Sequence, residues 1–150
     1  MVPRVAIVAC LLLVALPAAG AQAAPISSHP SLYACCTPPA MKERIFAEAG
    51  AAEAEFIRVD VELGGIFVND GAHPDWSALD GVIELARRHD IKVLGVILGI
   101  PSWLSSCPER GAEAPLCPPR DTAAFGRLAG EVAAHARDSI RHWEILNEPD

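Results

Sequence analysis

The sequence predicts an α/β fold built on a parallel sheet, and three observations carry that expectation. Strand-like and helix-like patterns alternate along the chain. No hairpin signal falls between consecutive strands. The strongest strand candidates are either cleanly alternating or apolar throughout.

Taken in order, a first strand is expected at residues 32–36. Thr37 is placed to cap the helix that follows, with Pro38 at its first position, where a missing N–H does no harm. Met41, Ile45, Phe46 and Ala49 recur at helical spacing, and Gly50 breaks the run. The second strand spans 56–63. Ile57, Val59, Val61 and Leu63 point to one side of it, and Arg58, Asp60 and Glu62 to the other. Asn69-Asp70-Gly71 signals a turn. A helix is expected to start near Asp75, with Trp76, Leu79, Ile83 and Ala86 as its apolar stripe. Residues 93–98 are almost wholly apolar, as in a strand covered on both faces. A long loop follows with Pro101, Trp103, Cys107 and Cys117. Asp121 then caps a helix striped by Phe125, Leu128, Val132 and Ala136. A fourth strand, 140–146, runs into Asn147-Glu148-Pro149.

The N-terminus has the composition of a targeting segment. Arg4 precedes an apolar run at 5–16, and Ala21-Gln22-Ala23 forms an A-x-A cleavage pattern, so residues 1–24 are read as a signal peptide. The run is too short to span a bilayer, which takes roughly 20 residues. Residues 25–31 are read as a Pro/Ser linker and 32–150 as the folded α/β region. Without Arg4 the chain keeps 11 basic residues against 19 acidic ones, a net charge near −8. The charge is scattered, which argues against nucleic acid or an anionic membrane as partner. Export leaves Cys35, Cys36, Cys107 and Cys117, an even number that permits two disulfides. Cys107 is expected to bridge Cys117, while Cys35 and Cys36 pair elsewhere or stay free. No C-x2-C pair and no metal-ligand spacing among the histidines at 29, 73, 89, 135 and 142 supports a metal site.

Two architectures suit a β-α-β-α-β-α-β order: an open doubly wound sheet and a closed barrel. No glycine-rich phosphate-binding loop follows any strand, which removes support for the nucleotide-binding versions of the first. Polar residues cluster at or just beyond strand C-termini, where (β/α)8 barrels build their active sites. Such a barrel takes roughly 250 residues. The expectation is therefore a TIM barrel of which this chain supplies about the first four β/α units, an N-terminal fragment.

The most informative stretch is His142-Trp143-Glu144-Ile145-Leu146-Asn147-Glu148-Pro149. Proline disfavours the α region for the residue before it, so Glu148 is held extended beyond the strand. Trp-Glu-Ile-Leu-Asn-Glu-Pro resembles the fourth-strand signature of clan A glycoside hydrolases, the retaining barrel enzymes. Ile57-Arg58-Val59-Asp60 is similar to their second-strand segment, and Pro101-Ser102-Trp103 to an element of family 39 and its relatives, family 5 being the other comparison. The resemblance implies that Glu148 is the general acid/base. Asn147 would contact the sugar 2-hydroxyl, and Arg58 would lie beside a nucleophile that this chain does not contain. Arg58 also has a structural reading, as an ion-pair partner of Glu144. Trp103 is either a sugar-stacking platform or a loop anchor, and Asp60 and Glu62 are polar groups of the lumen or rim. The implied activity is hydrolysis of β-linked glycosides or polysaccharides by double displacement, in a secreted enzyme whose partner is a carbohydrate and which needs no cofactor. A non-catalytic carbohydrate-binding protein on the same scaffold is the alternative. Sugar, linkage and oligomeric state stay open.

Overall fold

A computed structural model describes the backbone of residues 26–27 and all of 37–69 and 71–147. Strands β1 (Ile26–Ser27), β2 (Phe56–Glu62), β3 (Lys92–Leu98) and β4 (His142–Ile145) form one sheet in the order β1-β2-β3-β4, every pair parallel. Helix α1 (Pro39–Ala51) joins β1 to β2. The short α2 (Leu63–Ile66) and α3 (Ser77–Arg88) join β2 to β3, and α4 (Thr122–His135) joins β3 to β4. Spatial order follows chain order without the reversal that marks a doubly wound sheet. Parallel crossovers share one hand, so all three long helices lie over the same face.

That face is the core. Ile57, Val59 and Val61 of β2 and Val93 and Ile97 of β3 are almost fully buried. They share one cluster with Phe46 of α1, Leu79 and Val82 of α3, and Leu128 and Val132 of α4. The alternation expected for the second strand holds through Glu62. Leu63 then turns into α2 instead of extending the strand, helped by Gly64, whose N–H donates to Gly99 O at 3.1 Å.

Several boundaries differ from the sequence expectation for local reasons. The expected strand at 32–36 lies outside the described residues, whereas Ile26–Ser27, inside the expected linker, pairs with Ile57 and Arg58. Helix α1 starts at Pro39, with Pro38 and not Thr37 as its cap. Pro39 itself imposes this: the residue before a proline is driven out of the α region, and Pro38 sits at ψ 144°. Helix α3 begins two residues after Asp75, whose Oδ1 accepts the N–H of Ser77 at 2.9 Å; hydrogen bonding from Ser77, by its side chain first and its backbone N–H second, holds the Asp75 carboxyl below its ordinary pKa. Asp121 caps α4 as expected, accepting from Ala124 N at 3.0 Å.

The helices are tied to one another at their outer ends. Glu43 of α1 meets Arg88 and His89 at the end of α3, with His89 Nε2 2.7 Å from Glu43 Oε1. Trp76 stacks on His135 with centroids 4.1 Å apart, and His135 Nε2 lies 2.7 Å from Asp80 Oδ1, joining α3 to α4. Within the sheet, Val59, Gly95 and Trp143 stand side by side on the helix-covered face. The Trp143 ring lies across Gly95, so a Cβ there would collide with it.

Two stability predictions follow. Gly95→Ala is expected to lower unfolding free energy by about 2 kcal/mol through overpacking, read by urea denaturation. Trp143→Leu in the same background should recover most of that loss. The Glu43 carboxyl is held below its ordinary value of 4.5, chiefly by the His89 hydrogen bond and also by Arg88. A depressed carboxylate contributes stability above its unfolded pKa and loses it as pH falls through the folded one. The Tm gap between wild type and Glu43→Gln should therefore be full near neutrality and close as pH drops below 4.5.

Candidate active site

The face of the sheet opposite the helices carries the polar residues. Arg58 aligns with Leu94 and His142 across the three strands, and Asp60 aligns with Val96 and Glu144. Strand alternation thus brings Arg58, Asp60 and Glu144 to one side by register alone. Arg58 is the hub. Its Nε and Nη2 donate to Glu144 Oε2 at 3.0 and 2.7 Å, and Nη2 also donates to Asn147 Oδ1 at 2.9 Å. Its Nη1 lies 3.8 Å from Asp60 Oδ1, and Asp60 is buried, with 7% of its surface exposed. One guanidinium thereby links the second strand to the end of the fourth across the third.

The ion pair with Glu144 is the structural role anticipated for Arg58. The bond to Asn147 adds a second role, because Asn147 directly precedes Glu148. Glu148 lies outside the described residues. A guanidinium stays protonated at ordinary pH and gives up no proton. The described cluster can therefore fix geometry and charge but cannot itself supply acid/base chemistry through Arg58.

The backbone approach to Asn147 is unusual. Regular strand ends at Ile145, and Leu146 adopts φ 64°, a left-handed conformation rare outside glycine, asparagine and aspartate. The expected strand to residue 146 is shortened by this turn. Leu146 N–H still donates to Ile97 O at 2.8 Å, so the kink is anchored to β3. Nothing in the hydrophobic pattern of 140–146 signals it.

Trp103 joins a different set of contacts. Its indole N–H donates to Phe67 O at 2.8 Å, and the ring lies against Gly71. These contacts are those of a loop anchor. Cys107 and Cys117 form a disulfide with Cα atoms 6.1 Å apart, closing a 3-10 segment at Pro108–Leu116. Buried Ser105 serves the same loop. Its Oγ donates to Ala114 O at 2.7 Å and accepts from Cys107 N at 3.1 Å, a role its sequence context gave no reason to expect. Among the described residues, no group of three His, Cys, Asp or Glu side chains is placed to hold a metal ion. No helix among them is long and apolar enough to cross a membrane.

With this geometry in place, comparison with solved structures is informative. The chain resembles a family 39 glycoside hydrolase from the gut symbiont Bacteroides cellulosilyticus. The TM-score is 0.57 and the identity 16%, over 83% of this chain and 24% of the other. It also resembles a β-glycosidase, with a TM-score of 0.50 and 24% identity over 69% of this chain and 24% of the other. The fold is glycosidase-like. At these identities the likeness concerns the fold alone, and the chain spans about a quarter of the length of either structure. No protein-family model and no curated protein matches the sequence.

The Arg58 hub makes a measurable prediction. A double-mutant cycle with Arg58→Ala and Glu144→Gln should give a coupling of about 1 kcal/mol, at the upper end for exposed pairs, because Glu144 is partly open to solvent. Coupling indistinguishable from zero would mean that the pair does not tie β2 to β4 in solution.

Proposed function

We propose that this chain carries the acid/base half of a retaining glycosidase active on β-linked glycosides or polysaccharides, with Glu148 as the general acid/base. The observation that carries the reading is the Arg58 Nη2 to Asn147 Oδ1 bond. It fixes the residue directly before Glu148 to a charged hub at the strand ends of a glycosidase-like fold.

In this mechanism two carboxyl groups stand about 5–5.5 Å apart. Glu148, protonated in the resting enzyme, delivers its proton to the glycosidic oxygen as the second carboxylate attacks the anomeric carbon. The aglycone departs and a glycosyl-enzyme ester forms. Glu148, now ionised, takes a proton from water as that water attacks the same carbon, and the free sugar leaves with retained configuration. The second carboxylate belongs to sequence outside this chain. Asn147 donates from its amide nitrogen to the sugar 2-hydroxyl, since its oxygen is engaged by Arg58. Trp103 holds the loop after β3 through its indole N–H. The protein is exported, with residues 1–24 removed, and the Cys107–Cys117 bridge fits an oxidising compartment.

The test is Glu148→Gln in the full-length enzyme. Turnover of substrates with poor leaving groups should fall by three or more orders of magnitude, because no proton reaches the glycosidic oxygen. Activated aryl glycosides should keep most of their first step, stall at the second, and be rescued by azide, which attacks without deprotonation. Equal losses on both substrate types with no azide rescue would remove Glu148 from this role. Binding of sugar without turnover by the wild type would favour the carbohydrate-binding alternative.

A further inference from the structure

We propose that Leu146 is a positioning residue, whose left-handed backbone resets the strand alternation so that Asn147, directly before the proposed acid/base, faces Arg58. The inference rests on the glycosidase reading above and extends it to a residue that touches neither substrate nor proton.

Parity along β4 is set by its pairing with β3. Trp143 pairs with Gly95 and Ile145 with Ile97, both on the helix-covered face, while Glu144 pairs with Val96 on the polar face. Two-residue alternation continued through Leu146 would carry Asn147 to the side of Trp143 and Ile145, away from Arg58. Asn147 nevertheless accepts from Arg58 Nη2 at 2.9 Å. Between the last regular residue and that bond stands Leu146, at φ 64°.

A Leu side chain disfavours this conformation, because Cβ crowds the neighbouring carbonyl. Such a residue persists only where its surroundings hold it. Here both flanks are held. The Leu146 N–H donates to Ile97 O at 2.8 Å on one side, and Asn147 is clamped by Arg58 on the other. Arg58 is itself fixed by two bonds to Glu144, two residues before the kink. The kink and the hub therefore form one closed circuit through β3 and β2. Asn147 and Glu148, adjacent in sequence, would otherwise project to opposite sides. The left-handed step changes that for Asn147, and Pro149 limits Glu148 to extended backbone.

Three substitutions in the full-length enzyme separate backbone from packing. Leu146→Gly and Leu146→Ala both remove the side chain and tolerate the left-handed region better than a β-branched residue does. Leu146→Val keeps apolar volume but opposes the conformation. On a substrate with a poor leaving group, the Val variant should lose at least tenfold in kcat with KM little changed. It should lose less than threefold in the first step on an activated aryl glycoside. The Gly and Ala variants should stay within about threefold of wild type on both, and Gly should melt above Ala, reporting the positive φ independently of catalysis. An Ala variant hit harder than Val would show that packing matters and the backbone turn does not, overturning the inference while leaving the glycosidase reading intact. Wild-type activity in all three variants would do the same. A wild-type enzyme inactive on both substrates would instead overturn the glycosidase reading, and the positioning role of Leu146 with it.

Discussion

Arg58 is the point on which the polar side of this sheet depends. A guanidinium presents donors in a fixed plane, so its partners must come to it in set directions. Glu144 meets that requirement from β4 and Asn147 from just beyond it, and Asp60 approaches from Arg58's own strand. The arrangement exists because β2, β3 and β4 pair in parallel with no offset that would break the rows. A one-residue slip of β4 would turn Glu144 toward the helices, leaving a carboxylate in the apolar core and the guanidinium without its nearest anion. The ion pair and the strand register are thus mutually enforcing.

The opposite face is governed by volume instead of charge. Gly95 is the small residue in a row otherwise occupied by Val59 and Trp143, and the indole fills the space its missing side chain leaves. Phe46 and Phe67 are fully buried in the same cluster, so large rings fill the space between sheet and helices. A groove of about 310 Å³ between α1 and α3, lined partly by Lys42, Ser77 and Val82, lies on this helical side and not at the Arg58 hub. That groove is a seam between helices, and none of the polar residues of the Arg58 hub lines it.

What could be read from sequence was what depends on periodicity. Ile57, Val59 and Val61 declared a strand and its two faces, and the same pattern left an ion pair with Glu144 as one of two readings open to Arg58. Asp121 signalled its helix because a cap needs only one side chain and the N–H groups that follow. What escaped was set by non-periodic or long-range effects. Two consecutive prolines moved the start of α1 by one residue, through the restriction Pro39 places on Pro38. Leu63 has the right polarity to continue β2, yet Gly64 and its bond to Gly99 O bend the chain into α2. Leu146 carries no glycine or asparagine to announce a left-handed turn, because the turn is enforced by Ile97 and Arg58, distant in sequence. Trp103 gave no hint in sequence of its bond to Phe67 O, a partner 36 residues away. Periodicity could put Arg58 and Glu144 within reach of each other, while the bond from Arg58 to Asn147 depends on a backbone turn that periodicity does not encode.

The chain has three tryptophans, and each lies at a different seam. Trp76 stacks on His135 where α3 meets α4, Trp103 bonds Phe67 O where the loop after β3 lies on the segment after β2, and Trp143 covers Gly95 where β4 joins β3. Indole emission depends on polarity and on nearby quenchers, and a charged imidazole is an effective one. Proteins that keep one tryptophan and replace the other two would therefore give three optical views of a single molecule: helix docking, loop closure and strand pairing. Loss of signal at different denaturant concentrations would resolve whether the helical layer and the sheet come apart together or in sequence.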